Sequence, residues 1–288
     1  MSATIISGKI AREALAVELI KKVRALSVQP KLAIIQIGDR EDSTSYIRAK
    51  KNFATKIGAE VVHAKFPTNI AQDKLIAAIK DFNSDKKING IIVQLPLPEH
   101  LDKKTIIDSI DSKKDVDGLS SVQIERWSNN KSGAILPATA HGVSQLLKFY
   151  EISLRGKKIT VIGRSNMVGK PIAVICENLG ATVTVCHSET GDADLISSTK
   201  NADIIIVAAG KPKLIRAEHV KSGQIVIDVG INTVQGERLE EEVENKKLVG
   251  DVDFEAVKEI VAAITPVPGG VGPMTVLALF ENLVDTCK

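Results

Sequence analysis

The sequence has little cysteine and no long apolar run. Its three cysteines, Cys176, Cys186 and Cys287, are an odd number without a Cys-x-x-Cys spacing. They predict ordinary reduced residues, with no disulfide framework, no zinc site and no other bound metal. Apolar stretches such as 204–209 are far too short to cross a bilayer, so no membrane partner is expected.

Clustered charge of one sign is absent as well. The 38 basic residues are spread among 35 acidic ones, and the formal net charge is +3. A nucleic-acid-binding protein would concentrate its basic residues in a stripe or block, so nucleic acid is not expected as a partner. The N-terminus lacks the basic segment, apolar core and cleavage site of a signal peptide, which favours a cytoplasmic location.

The composition that remains is that of a folded protein of enzyme size. Hydrophobic residues make up 44% of the 288 residues and charged residues 25%, which is typical of globular domains and not of disordered chains. A chain of this length predicts about two domains, each able to bury its own core.

Helical and strand-like segments alternate along the first half. Three helix patterns each precede a strand-like run: 8–26 before 32–37, 43–57 before 60–64, and 72–82 before 90–95. Gly58 stands directly after the second helix pattern, where a glycine commonly ends a helix. This alternation predicts parallel strands with helices on both faces of the sheet.

The same alternation begins again at Lys157. Strand-like runs follow at 158–163, 182–186, 203–208 and 224–229, with a shorter one near Leu248, and helix patterns cover 139–150 and 274–284. We therefore predict an α/β protein of two α/β domains. Residues 1–140 form the first, residues 141–269 form a Rossmann-type second, and a C-terminal helix within 270–288 returns to complete the first.

The segment 163–171, Gly-Arg-Ser-Asn-Met-Val-Gly-Lys-Pro, joins the first strand of the second half to its helix. Its glycines allow a tight turn and a close approach of a ligand to the backbone. The helix N-terminus that follows can offer N–H groups to a pyrophosphate. The segment is not the Gly-x-Gly-x-x-Gly fingerprint, and its spacing alone leaves a turn without a ligand equally open.

The end of the next strand favours NADP over NAD. An NAD site usually has an Asp or Glu there to hold the ribose hydroxyls, whereas this strand ends in Val185-Cys186-His187-Ser188. Arg164, in the glycine segment, could instead face a ribose phosphate. Without a ligand Arg164 would be a solvated surface charge, and for His187 a structural role is favoured over a catalytic one.

Tyr46 and Lys50 are four residues apart on the second predicted helix, so they share one helix face. The spacing alone indicates little, because such pairs are common on helix surfaces. It also matches the Tyr-x-x-x-Lys of short-chain dehydrogenases. That family places its nucleotide loop before the pair, and the reversed order here excludes it.

Three further segments carry a resemblance to a known family. They are 94–98 (Gln-Leu-Pro-Leu-Pro), 115–118 (Asp-Val-Asp-Gly) and 266–275 (Pro-Val-Pro-Gly-Gly-Val-Gly-Pro-Met-Thr). With the glycine segment between the second and the third, they closely resemble the bifunctional methylenetetrahydrofolate dehydrogenase/cyclohydrolase (FolD) family. The resemblance covers essentially the whole chain.

The resemblance implies oxidation of 5,10-methylenetetrahydrofolate with NADP, and hydrolysis of the methenyl product to 10-formyltetrahydrofolate. It implies a folate-binding cleft in the first domain, an NADP-binding second domain and a homodimer. The implied catalytic residues are Tyr46, Lys50, Gln94 and Asp117. The implied substrate-binding residues are Tyr46, Gln94, Leu95, Asp117, Gly270, Gly272 and Pro273. The implied cofactor-binding residues are Gly163, Arg164, Ser165, Val168, Gly169, Pro171, His187, Ser188, Ala209, Gly210, Gly230 and Ile231.

The chemistry of the catalytic residues suits these reactions. Asp117 can accept two hydrogen bonds from the amino-pyrimidine edge of a pterin, and Tyr46 offers an aromatic face. Gln94 can bond to Lys50, and a neutral Lys50 can act as the base for water, because a cationic substrate would lower its pKa. The local sequence alone describes Asp117 equally well as a turn residue before Gly118.

Four places depart from the family pattern. They are 41–43 (Glu-Asp-Ser for Pro-Ala-Ser), Asn52 (for lysine), 119–123 (Leu-Ser-Ser-Val-Gln for a segment beginning Phe-His-Pro) and 137–140 (Pro-Ala-Thr-Ala for Pro-Cys-Thr-Pro). None of them removes a residue of the catalytic set. Two alternatives stay open: a dehydrogenase without the hydrolase activity, and a catalytically silent NADP-binding sensor or scaffold.

Overall fold

The structure, a computed structural model, describes residues 3–235 and 246–288; the side chains at positions 42, 234, 235, 246 and 247 lie outside that description. The chain divides into two compact units. The three-stranded unit comprises Glu13–Ala138 and Val276–Lys288. The six-stranded unit comprises Thr139–Thr275 and the described part of Met1–Arg12.

The elements of the first half alternate as the sequence predicts. In chain order they are β1 (Thr4–Ile5), α1 (Gly8–Arg24), β2 (Lys31–Ile37), α2 (Glu41–Ile57), β3 (Glu60–Phe66), α3 (Gln72–Ser84), β4 (Gly90–Val93), α4 (Lys103–Asp108) and α5 (Ser121–Ser128). The second half consists of α6 (Ala138–Phe149), β5 (Lys158–Ile162), α7 (Gly169–Asn178), β6 (Thr182–Cys186), α8 (Asp192–Asn201), β7 (Ile204–Val207), β8 (Ile225–Asp228), β9 (Asn232–Gln235), β10 (Lys246–Val249), α9 (Phe254–Val257), β11 (Ala263–Ile264) and α10 (Val271–Asp285).

The three-stranded unit is built on a parallel sheet with the order β3-β2-β4. The central strand β2 is buried from Leu32 to Ile37, because neighbouring strands and packed side chains cover it. Ile35 pairs with Ala64 of β3 and with Val93 of β4. The carboxyl ends of β2 and β4 therefore lie at one edge, where the residues that follow β4 emerge.

Two boundaries in this unit show how local residues set the ends of elements. Helix α2 ends at Gly58, as predicted, with a φ of 85°. Glycine adopts this left-handed conformation without the penalty that a Cβ brings. Strand β4 ends before the predicted position 95: the N–H of Gln94 still bonds to the Ile35 carbonyl at 2.8 Å, but Pro96 has no N–H to continue the ladder.

Lys114 ties the C-terminal end of α3 to the segment beyond β4. Its ammonium group donates to the carbonyl oxygens of Phe82 at 3.1 Å, Asn83 at 2.7 Å and Asp85 at 2.8 Å. A cation at the end of a helix satisfies carbonyl groups that lack helical partners. The backbone carbonyl of Lys114 accepts the N–H of Ile91 in β4 at 2.7 Å, so the segment is held on both sides.

The six-stranded unit contains a parallel sheet with the order β1-β11-β8-β7-β5-β6. The strand order reverses at β5, because the chain passes from β5 to β6 on one side and then to β7 on the other. In α/β sheets such a reversal opens a crevice at the carboxyl end of the strands. The glycine segment follows β5 at this position.

The first residues of the chain belong to the six-stranded unit, whereas the sequence predicted that they form one domain with the rest of 1–140. Thr4 and Ile5 pair with Ala263 and Ile264, which adds β1 to the six-stranded sheet. The C-terminal helix does return to the first half, as predicted: the Phe280 ring lies 5.7 Å from that of Phe53. The two-domain α/β architecture is confirmed, while the exact limits 1–140 and 141–269 stay a prediction.

The remaining described elements add little to the positioning of the sites. Strands β9 and β10 form an antiparallel pair, and β10 includes the short strand expected near Leu248. Among residues 3–235 and 246–288, none of the helices has both the length and the apolar character that a membrane crossing requires.

Candidate functional site

Lys50 and Gln94 meet at the edge of the three-stranded sheet. Lys50 lies on α2, and its Nζ donates a hydrogen bond to Gln94 Oε1 at 2.8 Å. The amide nitrogen of Gln94 donates in turn to the carbonyl oxygen of Leu95 at 3.0 Å. Because the backbone of Gln94 continues the β4 ladder, the sheet fixes the acceptor and thereby the direction of the lysine amine. The contact expected from the sequence is present.

Lys50 and Asp117 influence each other's charge. Burial lowers the pKa of Lys50, while the negative charge of Asp117 acts in the opposite direction. Burial raises the pKa of Asp117 to about 6; the Lys50 charge opposes this shift and the Asp115 charge adds to it. The pair therefore consists of a lysine that loses its proton more readily than usual and a carboxylate that binds one more readily.

The loop that carries Asp117 is fixed from within. The buried carboxylate of Asp115 accepts the N–H groups of Gly118 at 3.0 Å and Ser120 at 2.8 Å. Gly118 has a φ of +67°, and a Cβ there would lie 2.6 Å from the carbonyl oxygen of Ile135. Only glycine fits this turn, so the Asp-Val-Asp-Gly motif is both a turn and a frame for Asp117.

The departure at 119–123 forms its own hydrogen bonds. The hydroxyl of Ser120 caps α5 by accepting the N–H of Gln123 at 3.4 Å. The Gln123 side chain donates to the Ser112 carbonyl at 2.6 Å and accepts the N–H of Ile135 at 2.9 Å. The buried indole of Trp127 donates to the Gly118 carbonyl at 3.3 Å. These residues support the Asp117 loop in place of the usual family segment.

Tyr46 lies one turn before Lys50 on α2 and is 36% exposed. Its ring therefore presents a face that a ligand can cover. Of the departing segment 41–43, Ser43 is buried and the side chain of Asp42 lies outside the described part of the chain. Leu95 is joined to Pro96 by a cis peptide bond.

The glycine segment of the six-stranded unit is tightly packed. A Cβ on Gly163 would lie 2.3 Å from the Ala208 carbonyl oxygen, and one on Gly169 would lie 2.0 Å from that of Gly163. Ser165 closes the first turn of α7: its carbonyl accepts the N–H of Lys170 at 3.0 Å, and its hydroxyl accepts that of Val168 at 3.2 Å. Part of the helix N-terminus is thus bonded within the protein, where the sequence had suggested free N–H groups.

A cavity of about 290 Å³ lies beside this segment. Six of the predicted cofactor residues line it: Gly163, Arg164, Ser165, His187, Ser188 and Ala209. Val168, Gly169 and Pro171 lie at the start of α7, where Gly169 and Pro171 are buried. Lys211 and Thr190, which belong to none of the motifs found in the sequence, also line the cavity. The cavity combines two cationic side chains and several hydroxyl groups, which suit phosphate groups, with one carboxylate, that of Asp192.

An acidic side chain does lie near the end of β6, contrary to the argument that excluded one there. Glu189, the residue after Ser188, forms an ion pair with Arg164. Its position three residues beyond the strand explains why the strand-end pattern did not reveal it.

Two buried carboxylates organise the loops that hold Gly210 and Gly230. Asp251 accepts the N–H groups of Ala209 at 2.7 Å and Gly210 at 2.8 Å through one oxygen, and the Asn232 amide at 2.8 Å through the other. Asp228 accepts the N–H groups of Gly230, Asp251 and Val252 at 2.9, 3.0 and 2.9 Å. Burial raises the pKa of Asp228 to about 7. Neither aspartate was predicted as a site residue.

The proline- and glycine-rich segment lies in the six-stranded unit at the start of α10. Gly270 donates its N–H to the Pro266 carbonyl at 2.8 Å. A Cβ on Gly8 would lie 1.7 Å from the Gly270 carbonyl oxygen, so α1 begins in close contact with this turn. A Cβ on Gly272 would come within 3.9 Å of the Ile231 side chain, which is 44% exposed. Pro273 follows within the first turn of α10.

Comparisons with known proteins identify the family of both halves of the chain. Residues 6–117 match the model of the tetrahydrofolate dehydrogenase/cyclohydrolase catalytic domain, and residues 137–288 match that of its NAD(P)-binding domain. Bifunctional protein FolD of Bacillus subtilis (strain 168) is 43% identical over 292 residues, which cover 100% of this chain and 99% of the relative. The mitochondrial C-1-tetrahydrofolate synthase of Schizosaccharomyces pombe is 43% identical over 295 residues; the match covers all of this chain but only 29% of that protein.

The solved structures extend the agreement to the whole fold. The N5,N10-methylenetetrahydrofolate dehydrogenase-cyclohydrolase of Trypanosoma brucei, complexed with NADP cofactor and inhibitor, superposes with a TM-score of 0.93 at 36% identity. The superposition covers 100% of this chain and 98% of that one. Both halves of the chain are matched by the same family, and a structure of that family has the same fold over the whole chain. The chain therefore belongs to the tetrahydrofolate dehydrogenase/cyclohydrolase family.

Proposed function

We propose that this chain oxidises 5,10-methylenetetrahydrofolate with NADP and then hydrolyses the methenyl product to 10-formyltetrahydrofolate. The observation that carries the proposal is the hydrogen bond from Lys50 to Gln94, in a site where burial lowers the pKa of the lysine. A protein that only binds NADP has no use for such a lysine. A dehydrogenase without hydrolase activity would need a positioned folate but not a base.

Lys50 is the proposed base of the hydrolysis. Water attacks the cationic methenyl carbon, and a proton must leave the water as the new C–O bond forms. A neutral amine accepts that proton, and both burial and a cationic substrate favour the neutral form. The resulting tetrahedral hydroxy compound then opens: its hydroxyl group loses its proton as the formyl C=O forms, the bond from this carbon to one ring nitrogen breaks, and that nitrogen takes up the proton that Lys50 received. The formyl group stays on the other nitrogen.

Gln94 is proposed to aim the amine. Its Oε1 accepts one N–H of Lys50 at 2.8 Å, and the strand ladder holds its backbone. A lysine side chain has several rotatable bonds, so a fixed partner reduces the orientations in which its nitrogen faces away from the substrate.

Asp117, Tyr46 and Leu95 are proposed to bind the folate. The Asp117 carboxylate can accept two N–H groups from the amino-pyrimidine edge, and each such bond replaces contact with water in a largely buried place. Once the pterin occupies the carboxylate, Asp117 holds the proton of Lys50 less strongly. Substrate binding would thus favour the neutral lysine that hydrolysis needs.

The residues of the six-stranded unit fit NADP. Arg164 and Lys211 bring two cations to the cavity, and Ser165, Ser188 and Thr190 add hydroxyl groups, a donor set suited to phosphates. NADP, when bound, accepts the hydride that leaves the methylene carbon. The remaining predicted cofactor residues, Gly210, Gly230 and Ile231, follow strands β7 and β8 at the edge where nucleotides bind in such sheets.

Gly270, Gly272 and Pro273 are proposed as substrate-binding residues because they belong to the long motif shared with the family.

A homodimer is also proposed, and the edge strand β6 is one surface that a second copy could use. Its residues Thr182–Cys186 include no charged side chain, and Val185 is 41% exposed. Light scattering of the purified chain measures the oligomeric state. The cytoplasmic location stays a prediction.

Two assays of the purified chain test the proposed function. In the first, methylenetetrahydrofolate is supplied with NADP or NAD and reduced cofactor is measured. In the second, methenyltetrahydrofolate is supplied without nicotinamide cofactor and its disappearance is measured against the rate in buffer alone. Activity in both assays is expected. Activity only in the first would leave a monofunctional dehydrogenase, and NADP binding without activity in either would indicate a sensor or scaffold.

A further inference from the structure

A carboxylate competes for the arginine at the cofactor cavity. Arg164 Nη2 donates to Glu189 Oε1, and the two side chains are 54% and 71% exposed. Arg164 lines the cavity, and so does Ser188, the residue before Glu189. The ion pair therefore lies at the rim of the cavity, where the ribose phosphate of NADP is expected to meet the arginine.

The backbone holds Glu189 in this position. The N–H of Thr190 bonds to the His187 carbonyl at 2.9 Å, and the N–H of His187 bonds to the Thr190 hydroxyl at 2.9 Å. The N–H of Glu189 donates to Nδ1 of His187 at 3.3 Å. The turn is thus closed by three hydrogen bonds. This turn places Glu189 next to Ser188, which lines the cavity.

We propose that Glu189 sets the degree of preference for NADP over NAD, by competing with the 2′-phosphate for Arg164. The inference rests on the proposed function, since it assumes that this cavity takes the cofactor. To bind the phosphate, Arg164 must release Glu189 or hold both groups, and the carboxylate then stands near a second anion. NAD carries no 2′-phosphate, so its binding requires neither the release of Glu189 by Arg164 nor the close approach of two anions.

Glu189 is also expected to favour the binding of NAD. A carboxylate near the ribose can accept a hydrogen bond from the free 2′-hydroxyl of NAD, which is the usual role of an acidic residue in NAD sites. The same side chain therefore weakens the binding of one cofactor and offers a partner to the other. We expect the unmodified enzyme to prefer NADP less strongly than Arg164 alone would dictate.

The expected size of the effect follows from the exposure of the pair. Breaking an exposed ion pair typically changes an equilibrium by roughly twofold to fivefold. Repulsion between a carboxylate and a doubly charged phosphate about 5 Å away in water, screened by physiological salt, adds a factor of similar size. Removing the charge should therefore raise the ratio of kcat/KM for NADP to that for NAD roughly tenfold.

Glu189→Gln keeps the shape of the side chain and removes its charge. Glu177→Gln is the matched control, because Glu177 is an exposed glutamate near the C-terminal end of α7, away from the glycine segment at the other end. In Glu189→Gln the KM for NADP should fall while kcat with NADP stays the same. Raising the salt concentration should narrow the difference from the unmodified enzyme, because salt screens exposed charges. Glu177→Gln should leave the cofactor ratio unchanged.

Two further measurements separate this inference from its alternatives. Calorimetric binding of 2′,5′-ADP and of 5′-AMP needs no turnover, so it tests Glu189 even if the dehydrogenase assay fails and the proposed function falls. Glu189→Gln should tighten 2′,5′-ADP and not 5′-AMP. In an Arg164→Ala background the effect of Glu189→Gln should shrink. Unchanged affinity for 2′,5′-ADP, or a full effect without Arg164, would overturn the competition for Arg164.

Discussion

The side-chain amide of Asn282 donates hydrogen bonds to the carbonyl oxygens of Val116 at 2.9 Å and Leu136 at 3.0 Å. Val116 directly precedes Asp117, so a residue of α10 fixes the loop that carries the proposed folate-binding carboxylate. Asn282 is 6% exposed, and water cannot readily replace it. The C-terminal helix therefore supports a loop that lies more than 140 residues earlier in the chain.

Asn282→Ala should loosen this loop. Two carbonyl groups lose their partner, and a buried polar group left unsatisfied costs about 1–3 kcal/mol of stability. The free energy of unfolding in denaturant should fall by that order, and the KM for folate should rise in both reactions. Asn178→Ala, at an exposed asparagine in the other unit, is the control. An unchanged folate KM in a destabilised Asn282→Ala enzyme would limit Asn282 to a structural role.

Lys50→Met should separate the two reactions. Methionine keeps much of the apolar stem and removes the amine, and general-base help is typically worth roughly 10²–10⁴-fold. Hydrolysis should fall by that factor, while the dehydrogenase keeps a measurable activity and releases the methenyl compound. The absorbance of that compound during turnover is the measurement. Lys56→Met, on the same helix at a more exposed position, should change neither reaction.

If the methenyl compound fails to accumulate in Lys50→Met, and formyltetrahydrofolate still forms at the normal rate, then another group is the base.

Asp117 should make folate binding depend on pH near neutrality. Its pKa is raised to about 6, so the carboxylate gains a proton as the pH falls through that value. A protonated carboxyl group accepts fewer hydrogen bonds and carries no charge, so the KM for folate should rise as the pH falls from 7 to about 5. Asp117→Asn should raise the folate KM in both reactions, remove this pH dependence and leave NADP binding intact. A pH profile that survives in Asp117→Asn would assign it to another group.

Arg164→Ala should weaken NADP selectively. The loss of a charged hydrogen bond to phosphate costs on the order of 1.5–3 kcal/mol, so the KM for NADP should rise roughly tenfold or more. The KM for NAD should change little. Lys170→Ala, at an exposed lysine in the same segment, tests whether the loss of any cation there has this effect. Equal use of NADP and NAD by the unmodified enzyme would remove the assigned role of Arg164.

Asp251→Asn should weaken both nicotinamide cofactors together. The carboxylate holds the N–H groups of Ala209 and Gly210 at 2.7 and 2.8 Å, and an amide nitrogen in place of one oxygen would face donors. The dissociation constants of NADP and NAD should rise by a similar factor, measured by calorimetry. Hydrolysis of methenyltetrahydrofolate without cofactor should be retained. Asp253→Asn, at a half-buried neighbour, is the control.

The parts of the fold that could be predicted are those whose signal is local. Strands such as β2 and β7 are short apolar runs between helix patterns, and their parallel pairing follows from the alternation. Strands β1 and β11 have two residues each, and their pairing joins Thr4 to Ala263. No local pattern contains such a long-range contact, so the grouping of the first residues could not be read from the sequence.

For the site, too, long-range contacts could not be predicted from local sequence signals. The bond between Lys50 and Gln94 was expected from the resemblance to a known family, whereas most of the backbone groups that Asp228 and Asp251 hold lie more than 20 residues away in the chain. One local feature of the sequence is related to these two aspartates. Gly250 precedes Asp251, and a Cβ at this glycine would lie 1.8 Å from a carboxylate oxygen of Asp228. Glycine at this position thus leaves the room that the buried Asp228 carboxylate needs next to the backbone.

The hydrogen bonds of Lys114 to three carbonyl groups link the end of α3 to the loop of Asp117, although the two are distant in the chain. When the last turn of α3 frays, Lys114 loses its acceptors, and the backbone that pairs with Ile91 and leads to Asp117 loses an anchor. We therefore expect the end of α3 and the loop of Asp117 to open together, so that their amide hydrogens exchange with solvent at similar rates. The order of the proposed folate-binding carboxylate should therefore depend in part on the local stability of a helix end that lies outside the proposed site.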